Sequence, residues 1–394
     1  MNALRQELHV AQFVEVLEAG GAESLAIAIA GSLADRGHDS HLAVVRGGGP
    51  FQSRVPATVR FCDLGRPKCE AGQVARIADF LQTCRDLEDY LRTAQIDVLQ
   101  THLPKANFLG LCMAWRGVCR VYPTIHNNRE FDYGDNAGVL RRWLRRAGYR
   151  AMVGSCSGMV AVSDKVRISL AEQLGLRGRR ISRISVVSNG VALPESMGPD
   201  RRRAARRRWG VADDAVLIVG VGRLTRQKNF EALIEALGCV SPTSRPWHCI
   251  IAGEGDKRLE LEELIRRLGL GNQVTLAGLS DHVDELLGAA DIFCLTSLFE
   301  GLPLVLLEAM AHALPVVAFA IDGVAEVVSD GLNAVTVNVG DNAAFSKALS
   351  ALIDDDERRV LLGAAGRRLI AERFNFATKV EELLAIYGAD AKGL

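Results

Sequence analysis

VLIVGVGRLTRQKNFEALIEAL, residues 216–237, holds one complete structural unit. A short apolar, β-branched run ends at Gly220 and Gly222, a cationic stretch follows, and EALIEAL then carries helical spacing. Such a run is the signature of a strand buried on both faces, and strand, loop and helix in that order build parallel α/β layers. The rhythm extends in both directions. Downstream lie HCIIAG (248–253), QVTLAG (273–278), DIFCLT (291–296), LPVVAFA (314–320) and NAVTVN (333–338). Upstream lie LHVAQFV (8–14), HLAVV (41–45), TVRFCDL (58–64), IDVLQTH (96–102), VYPTIHN (121–127), MVAVS (159–163) and ISVVSNGV (184–191). Between the first two of these, AESLAIAIAGSLADRG reads as a helix stopped by Gly37.

At 394 residues the chain exceeds one ordinary core and suits two domains. Pro194, Gly198 and Pro199 mark a linker, followed by the run RRRAARRRW from Arg201, read as a helix with a solvated basic face. Two Rossmann-like domains are expected, 1–191 and 192–372, with 373–394 as a closing helix and ligands held in a cleft between the halves. Lys+Arg and Asp+Glu both total 47, so no net field draws the protein onto nucleic acid. Aromatic residues make up 6%, too few for a platform that stacks single-stranded bases. The nine cysteines form no C-x-x-C pair and read as reduced thiols, which with Glu7, Glu15 and Glu18 interrupting any leader-like stretch points to the cytoplasm. The most apolar window, 302–321, carries Glu308, His312 and two prolines, and reads as helix, turn and strand rather than a membrane span.

Strand-to-helix loops are where chemistry is expected. The loop after 216–222 offers Arg223 and Lys228 as cations, with Gly222 letting backbone approach a ligand. The third glycine of a dinucleotide fingerprint is missing and there is no G-x-x-x-x-G-K-[ST] loop, which argues against NAD or ATP in their usual cradles. After 291–296 comes SLFEGLPLVLLEAM. Gly301 gives a turn, Pro303 reads as the first residue of a helix, and the amides from Leu302 to Leu304 and beyond would present the positive end of its dipole to an anion. Glu300 and Glu308 frame that helix start. A carboxylate beside an anion site accepts hydrogen bonds only, so hydroxyls of a sugar or ribose are its natural partners.

Together these residues resemble retaining glycosyltransferases of family 4, which have the GT-B fold. Glu300 to Glu308 is similar to that family's pair of glutamates with seven residues between them, GVGRLTRQKNF to its diphosphate loop, and IAGEGDKR (251–258) to its next strand exit. VTLAGLSDHVDELLGAADIF (274–293) resembles the segment beside the base, and SNGV (188–191) the interdomain Asn-Gly-Val. The resemblance implies transfer of a sugar from a nucleoside diphosphate donor, UDP- or GDP-linked, with no cofactor and no required metal. It assigns donor binding to Gly21, Gly222, Gly253, Gly278, Gly301, Leu302, Pro303, Leu304 and Glu308, and catalytic contacts to His126, Glu300, Arg223 and Lys228. Gly20, His102 and Asn127 are the acceptor-side candidates. The last segment, RFNFATKVEELLAIYG (373–388), is similar to helices that return to the first domain in that family.

A glycan or a lipid-linked acceptor fits the family's common roles in cell-envelope polysaccharide synthesis. VLRRWLRRAGYRAM (139–152) sets Arg141, Arg142, Arg145, Arg146 and Arg150 beside Trp143 and Leu144. That pattern suits either a helix lying on anionic lipid or an ordinary helix whose arginine stems cover the edge of the core. A nucleotide-sugar 2-epimerase of the same fold, or a transferase acting on a small soluble acceptor, are the alternatives; a non-catalytic sugar-nucleotide sensor would lack the use of the glutamate pair.

Overall fold

The computed structural model describes residues 7–68, 72–128, 131 and 139–389, with the side chains at 139–141 and 389 excepted; Cys69 and the side chain of Arg141 lie outside the described residues. The chain forms two compact units. One holds residues up to Asn189 together with those from Ala377, and the other runs from Gly190 to Phe376. The sequence reading drew these divisions after 191 and 372.

Seven parallel strands form the sheet of the first unit: β1 (His9–Val14), β2 (Asp39–Val44), β3 (Arg60–Asp63), β4 (Val98–His102), β5 (Arg120–Ile125), β6 (Met159–Ala161) and β7 (Ile184–Val186). Their spatial order is β3-β2-β1-β4-β5-β6-β7. The second unit has six parallel strands: β8 (Val216–Val221), β9 (Trp247–Ala252), β10 (Val274–Gly278), β11 (Ile292–Leu295), β12 (Val316–Phe319) and β13 (Ala334–Val337), in the order β10-β9-β8-β11-β12-β13. Helices follow the strands and cover both faces, which is why β1, β2, β4, β8, β11 and β12 are buried nearly end to end.

Local chemistry explains the helix ends. The helix Gly21–Asp35 closes with Gly37 at φ +82°, its amide donating to Ala34 and that of His38 to Leu33, a closure that a Cβ at the left-handed position would strain. Ser163, Asp341 and Asp355 each accept from a backbone amide three residues on and so cap the helices that follow them.

The arginine helix Pro199–Arg208 has the expected solvated basic face, with Arg201, Arg203, Arg207 and Arg208 exposed, but Arg206 on its other side is 1% exposed, donating to the carbonyls of Ala212 and Ala215 and to Asp291 at 3.1 Å. Asp291 also accepts the Leu217 amide at the start of β8, so Arg206 anchors the carboxylate that holds this strand entrance. The expectation for Pro303 is corrected: it is the cap of the helix Leu304–Ala311 and not its first residue. Its backbone is extended (ψ 119°), and the amides of Leu306 and Leu307 return to its carbonyl. A proline is tolerated there for the same reason as one place later, since neither position needs its N–H.

Residues from Ala377 belong to the first unit through the helix Phe376–Ala389. Val380 and Tyr387 are fully buried, the Tyr387 carbonyl accepts from Arg120, and its ring lies 5.3 Å from that of Tyr122 on β5. Among the described residues no helix is long and apolar enough to cross a membrane.

Candidate functional site

Each sheet has one point where the strand order reverses direction, and in a parallel sheet the loops leaving the carboxyl ends of the two strands there spread apart to make a binding crevice. In the second unit this point lies between β8 and β11. Residues 222–229 follow the first strand and 296–303 the second, and they are bonded together. The Leu298 amide donates to the Gln227 carbonyl at 2.9 Å, and Thr296 Oγ1 donates to the Lys228 carbonyl at 3.2 Å.

This backbone contact brings two predicted residues into direct contact. Lys228 Nζ donates to Glu300 Oε1 at 2.7 Å. Ser297 Oγ donates to the same oxygen at 2.8 Å, and Gln227 Nε2 reaches Oε2 at 3.4 Å and the Phe299 carbonyl at 3.0 Å. Glu300 is only 8% exposed, so the pair sits in surroundings where charges interact far more strongly than in water. Ser297 and Gln227 were not singled out from sequence; a serine three places before the glutamate and a glutamine beside the lysine were the available signals.

The strand exits are built for close approach. Gly222 has φ +152°, and a β carbon on it would stand 2.9 Å from Lys228 Cε, so its absence leaves the lysine stem its place over the end of β8. Gly253, φ +149°, packs directly against the Gly222 carbonyl and donates to the Gly278 carbonyl at 2.8 Å. The predicted glycines 222, 253 and 278 thus follow β8, β9 and close β10 as neighbours. Arg223 is exposed beside them. Gly301, Leu302 and Pro303 are buried, and Leu304 opens the eight-residue helix whose first amides precede any carbonyl partner within it. Glu308 is half-buried one turn further on.

In the first unit the reversal lies between β1 and β4. Lys105, in the helix after β4, donates to Glu15 after β1 at 2.8 Å. Gly20 caps the helix that opens with Gly21, and Ser24 donates to the Gly20 carbonyl. His126 follows β5 and is half-buried, as is Asn127. His102 departs from its acceptor-side assignment. It is fully buried, with Nδ1 3.0 Å from His126 Nε2 and Nε2 2.8 Å from Gln12 Oε1, so both ring nitrogens are engaged within the protein and no face of the ring is open to a ligand. The reason is its position as the last residue of β4, with neighbours on both sides. Among the described residues, no group of three or more His, Cys, Asp or Glu side chains is arranged to hold a metal ion.

Burial pushes His126 down to about 4, and burial together with His126 holds His102 well below the usual histidine value. With folded values under the unfolded 6.5, both rings favour the fold in full above pH 6.5, and that contribution is lost as pH falls from 6.5 toward 4. Linkage puts the loss for His126 by pH 4.5 on the order of 2–3 kcal/mol. Thermal unfolding of His126→Asn between pH 7.5 and 4.5 is expected to decline less steeply than that of the parent; parallel slopes would contradict it.

Two family models match in succession, Glycosyltransferase Family 4 over residues 19–194 and Glycosyl transferases group 1 over residues 201–369. The chain is similar to the D-inositol 3-phosphate glycosyltransferase of Xylanimonas cellulosilytica, 32% identical over 312 residues that make up 75% of this chain and 72% of that one. It is 26% identical to the alpha-D-kanosaminyltransferase of Streptomyces kanamyceticus over 250 residues, and the match spans 63% of that relative's length and 63% of its own. Among solved structures, Anabaena Alr3699/HepE in complex with UDP and glucose matches with a TM-score of 0.82 at 20% identity, covering 98% of this chain and 100% of the other.

Proposed function

Because the chain belongs to the glycosyl transferases group 1 family, with two Rossmann-like units of the GT-B type, we propose that it moves a hexose-type sugar from a nucleoside diphosphate to a hydroxyl of a glycan or lipid-linked acceptor, keeping the anomeric configuration and needing no metal. The observation that carries this reading is the Lys228–Glu300 pair, bonded at 2.7 Å at the point where the second sheet reverses. The obstacle in such a transfer is departure of a diphosphate while positive charge builds on the sugar. Lys228, Arg223 and the leading amides of the helix Leu304–Ala311 suit the negative charge that grows on the leaving oxygens. A diphosphate competing for Lys228 releases Glu300, whose carboxylate then accepts from sugar hydroxyls. Glu308, further along the helix, is assigned to ribose hydroxyls, and His126 to the donor sugar.

A uridine nucleotide is favoured as donor because the Anabaena structure of the same fold holds UDP and glucose. At 100 times its Kd, UDP is expected to stabilise the fold by about 2.7 kcal/mol, against smaller effects of GDP and ADP at the same concentration. Slow hydrolysis of UDP-glucose, followed by proton NMR with EDTA present, is expected to release the α anomer first. The β anomer first would overturn retention, and arrest by EDTA would overturn metal independence.

For the acceptor, support comes from the helix Val139–Ser155, where Trp143 and Leu144 are 61% and 52% exposed and Arg142 and Arg146 are exposed beside them. Apolar tips flanked by arginines suit an anionic lipid surface and a peripheral site on the inner face of a membrane. Sedimentation with phosphatidylglycerol vesicles is expected to carry the protein down, and Trp143→Ala with Arg142→Glu and Arg146→Glu to leave it in solution. A small soluble acceptor is the second reading, favoured by the name of the inositol phosphate relative; full transfer activity without any vesicle binding would select it.

A further inference from the structure

Gln12 is a polar residue in the middle of β1, otherwise an apolar strand, and it is fully buried. Its Oε1 lies 2.8 Å from His102 Nε2, and His102 Nδ1 lies 3.0 Å from His126 Nε2. The direction of this chain follows from what each atom can do. A carboxamide oxygen only accepts, so His102 Nε2 carries the hydrogen. A neutral imidazole has one hydrogen, so His102 Nδ1 is a lone pair and His126 Nε2 must donate to it. The one unprotonated nitrogen of His126 is then Nδ1. Burial keeps both rings neutral over the ordinary pH range.

A rotated Gln12 amide would reverse every link and leave His126 with its hydrogen on Nδ1. The surroundings select against that rotation. The Tyr387 phenol adjoins Gln12, and its hydroxyl donates to Gln100 Oε1, so oxygen lone pairs are what it turns to other neighbours. In this arrangement Gln100 Nε2 donates to the Thr124 hydroxyl at 2.9 Å, so both ends of its amide are bonded. A lone pair beside Gln12 matches its NH₂ group, for which no other partner is found, and repels its oxygen.

We propose that His102 is a positioning residue: with Gln12 it holds His126 as the Nε2–H tautomer, so that Nδ1 serves as a fixed hydrogen-bond acceptor. The consequence for transfer rests on the function proposed above. A His126 that offers an acceptor atom takes a hydroxyl of the sugar in preference to a phosphate oxygen, which has no hydrogen to give.

The test uses the full chain labelled with ¹⁵N-histidine, without substrate, and long-range ¹H–¹⁵N spectra that separate hydrogen-bearing from bare ring nitrogens. The His126 signals are assigned by their loss in His126→Gln. The expected result is a hydrogen-bearing Nε2 and a bare Nδ1 on both His102 and His126. A hydrogen-bearing Nδ1 on His126 overturns the proposal, whatever the variants do. In Gln12→Met and His102→Phe the His126 nitrogens are expected to move toward averaged positions, and kcat to fall tenfold or more with donor KM changed less than threefold. A fall in Tm with His126 still wholly Nε2–H would mean that Gln12 and His102 serve packing alone, and would also overturn it. Because the tautomer is read without turnover, a protein that transfers no sugar would refute the proposed function and leave this result standing.

Discussion

Replacing Lys228 by methionine is expected to lower sugar transfer by about 10²–10³-fold, the usual cost of removing one preorganised group that stabilises developing charge. It is also expected to lower stability, for a separate reason. Glu300 is 8% exposed and Lys228 is its cation, so the substitution strands a buried carboxylate, a loss of about 3–5 kcal/mol. Ser297 and Gln227 still donate to that carboxylate and soften the loss. The two effects separate in the double variant Lys228→Met, Glu300→Gln, which leaves no unpaired charge. Its Tm is expected to return toward the parent value, while turnover of a UDP-sugar stays as low as in the single variant. Recovery of turnover along with Tm would show that the pair serves the fold and not the reaction.

Gly253→Ala is expected to cost about 4 kcal/mol, from strain at φ +149° added to a collision with the Gly222 carbonyl. Backbone cannot rotate away as a flexible side chain would, so the exits of β8 and β9 must part. Because Gly222 in turn supports the Lys228 stem, UDP binding should weaken as well. Urea unfolding and a UDP thermal shift would measure both. Gly271→Ala is the control, with an exposed glycine and nothing within 4 Å of an added β carbon; it should change stability by less than about 0.5 kcal/mol. Equal stability of the two variants would refute the close-packing argument.

The strands were legible because parallel strands buried on both faces are written as largely apolar runs, and each of the thirteen described strands overlaps a run read from sequence, even β3 (RFCD), which is only partly buried. The loops were legible for a related reason: glycines and cations stand out against apolar flanks. What sequence withheld is which loops meet. The bond from Lys228 to Glu300 joins residues 72 apart and follows from β8 and β11 lying side by side, a fact of strand order. Gln12 was written plainly in HVAQFV as a polar residue in a buried run, yet its partner lies 90 residues away. His102 was misjudged because a polar residue type was read as facing a ligand, whereas its ring is enclosed between Gln12 and His126. Arg206 stands apart from the exposed arginines of its run, held by the carbonyls of Ala215 and, 83 residues on, Ala289.

The helix Phe376–Ala389 has a consequence for how the chain is made. Val380, Leu383 and Tyr387 fill the interior of the first unit, and Tyr387 completes its polar network through Gln100. The first unit therefore closes only once residues 377–389 are available, with all of residues 190–376 lying between them and its last strand, whereas residues 190–376 already have every described strand of their own sheet. The unit whose strands come first is thus completed by a segment that follows the other unit, so loss of residues 377–389 would be felt in a sheet nearly two hundred residues upstream.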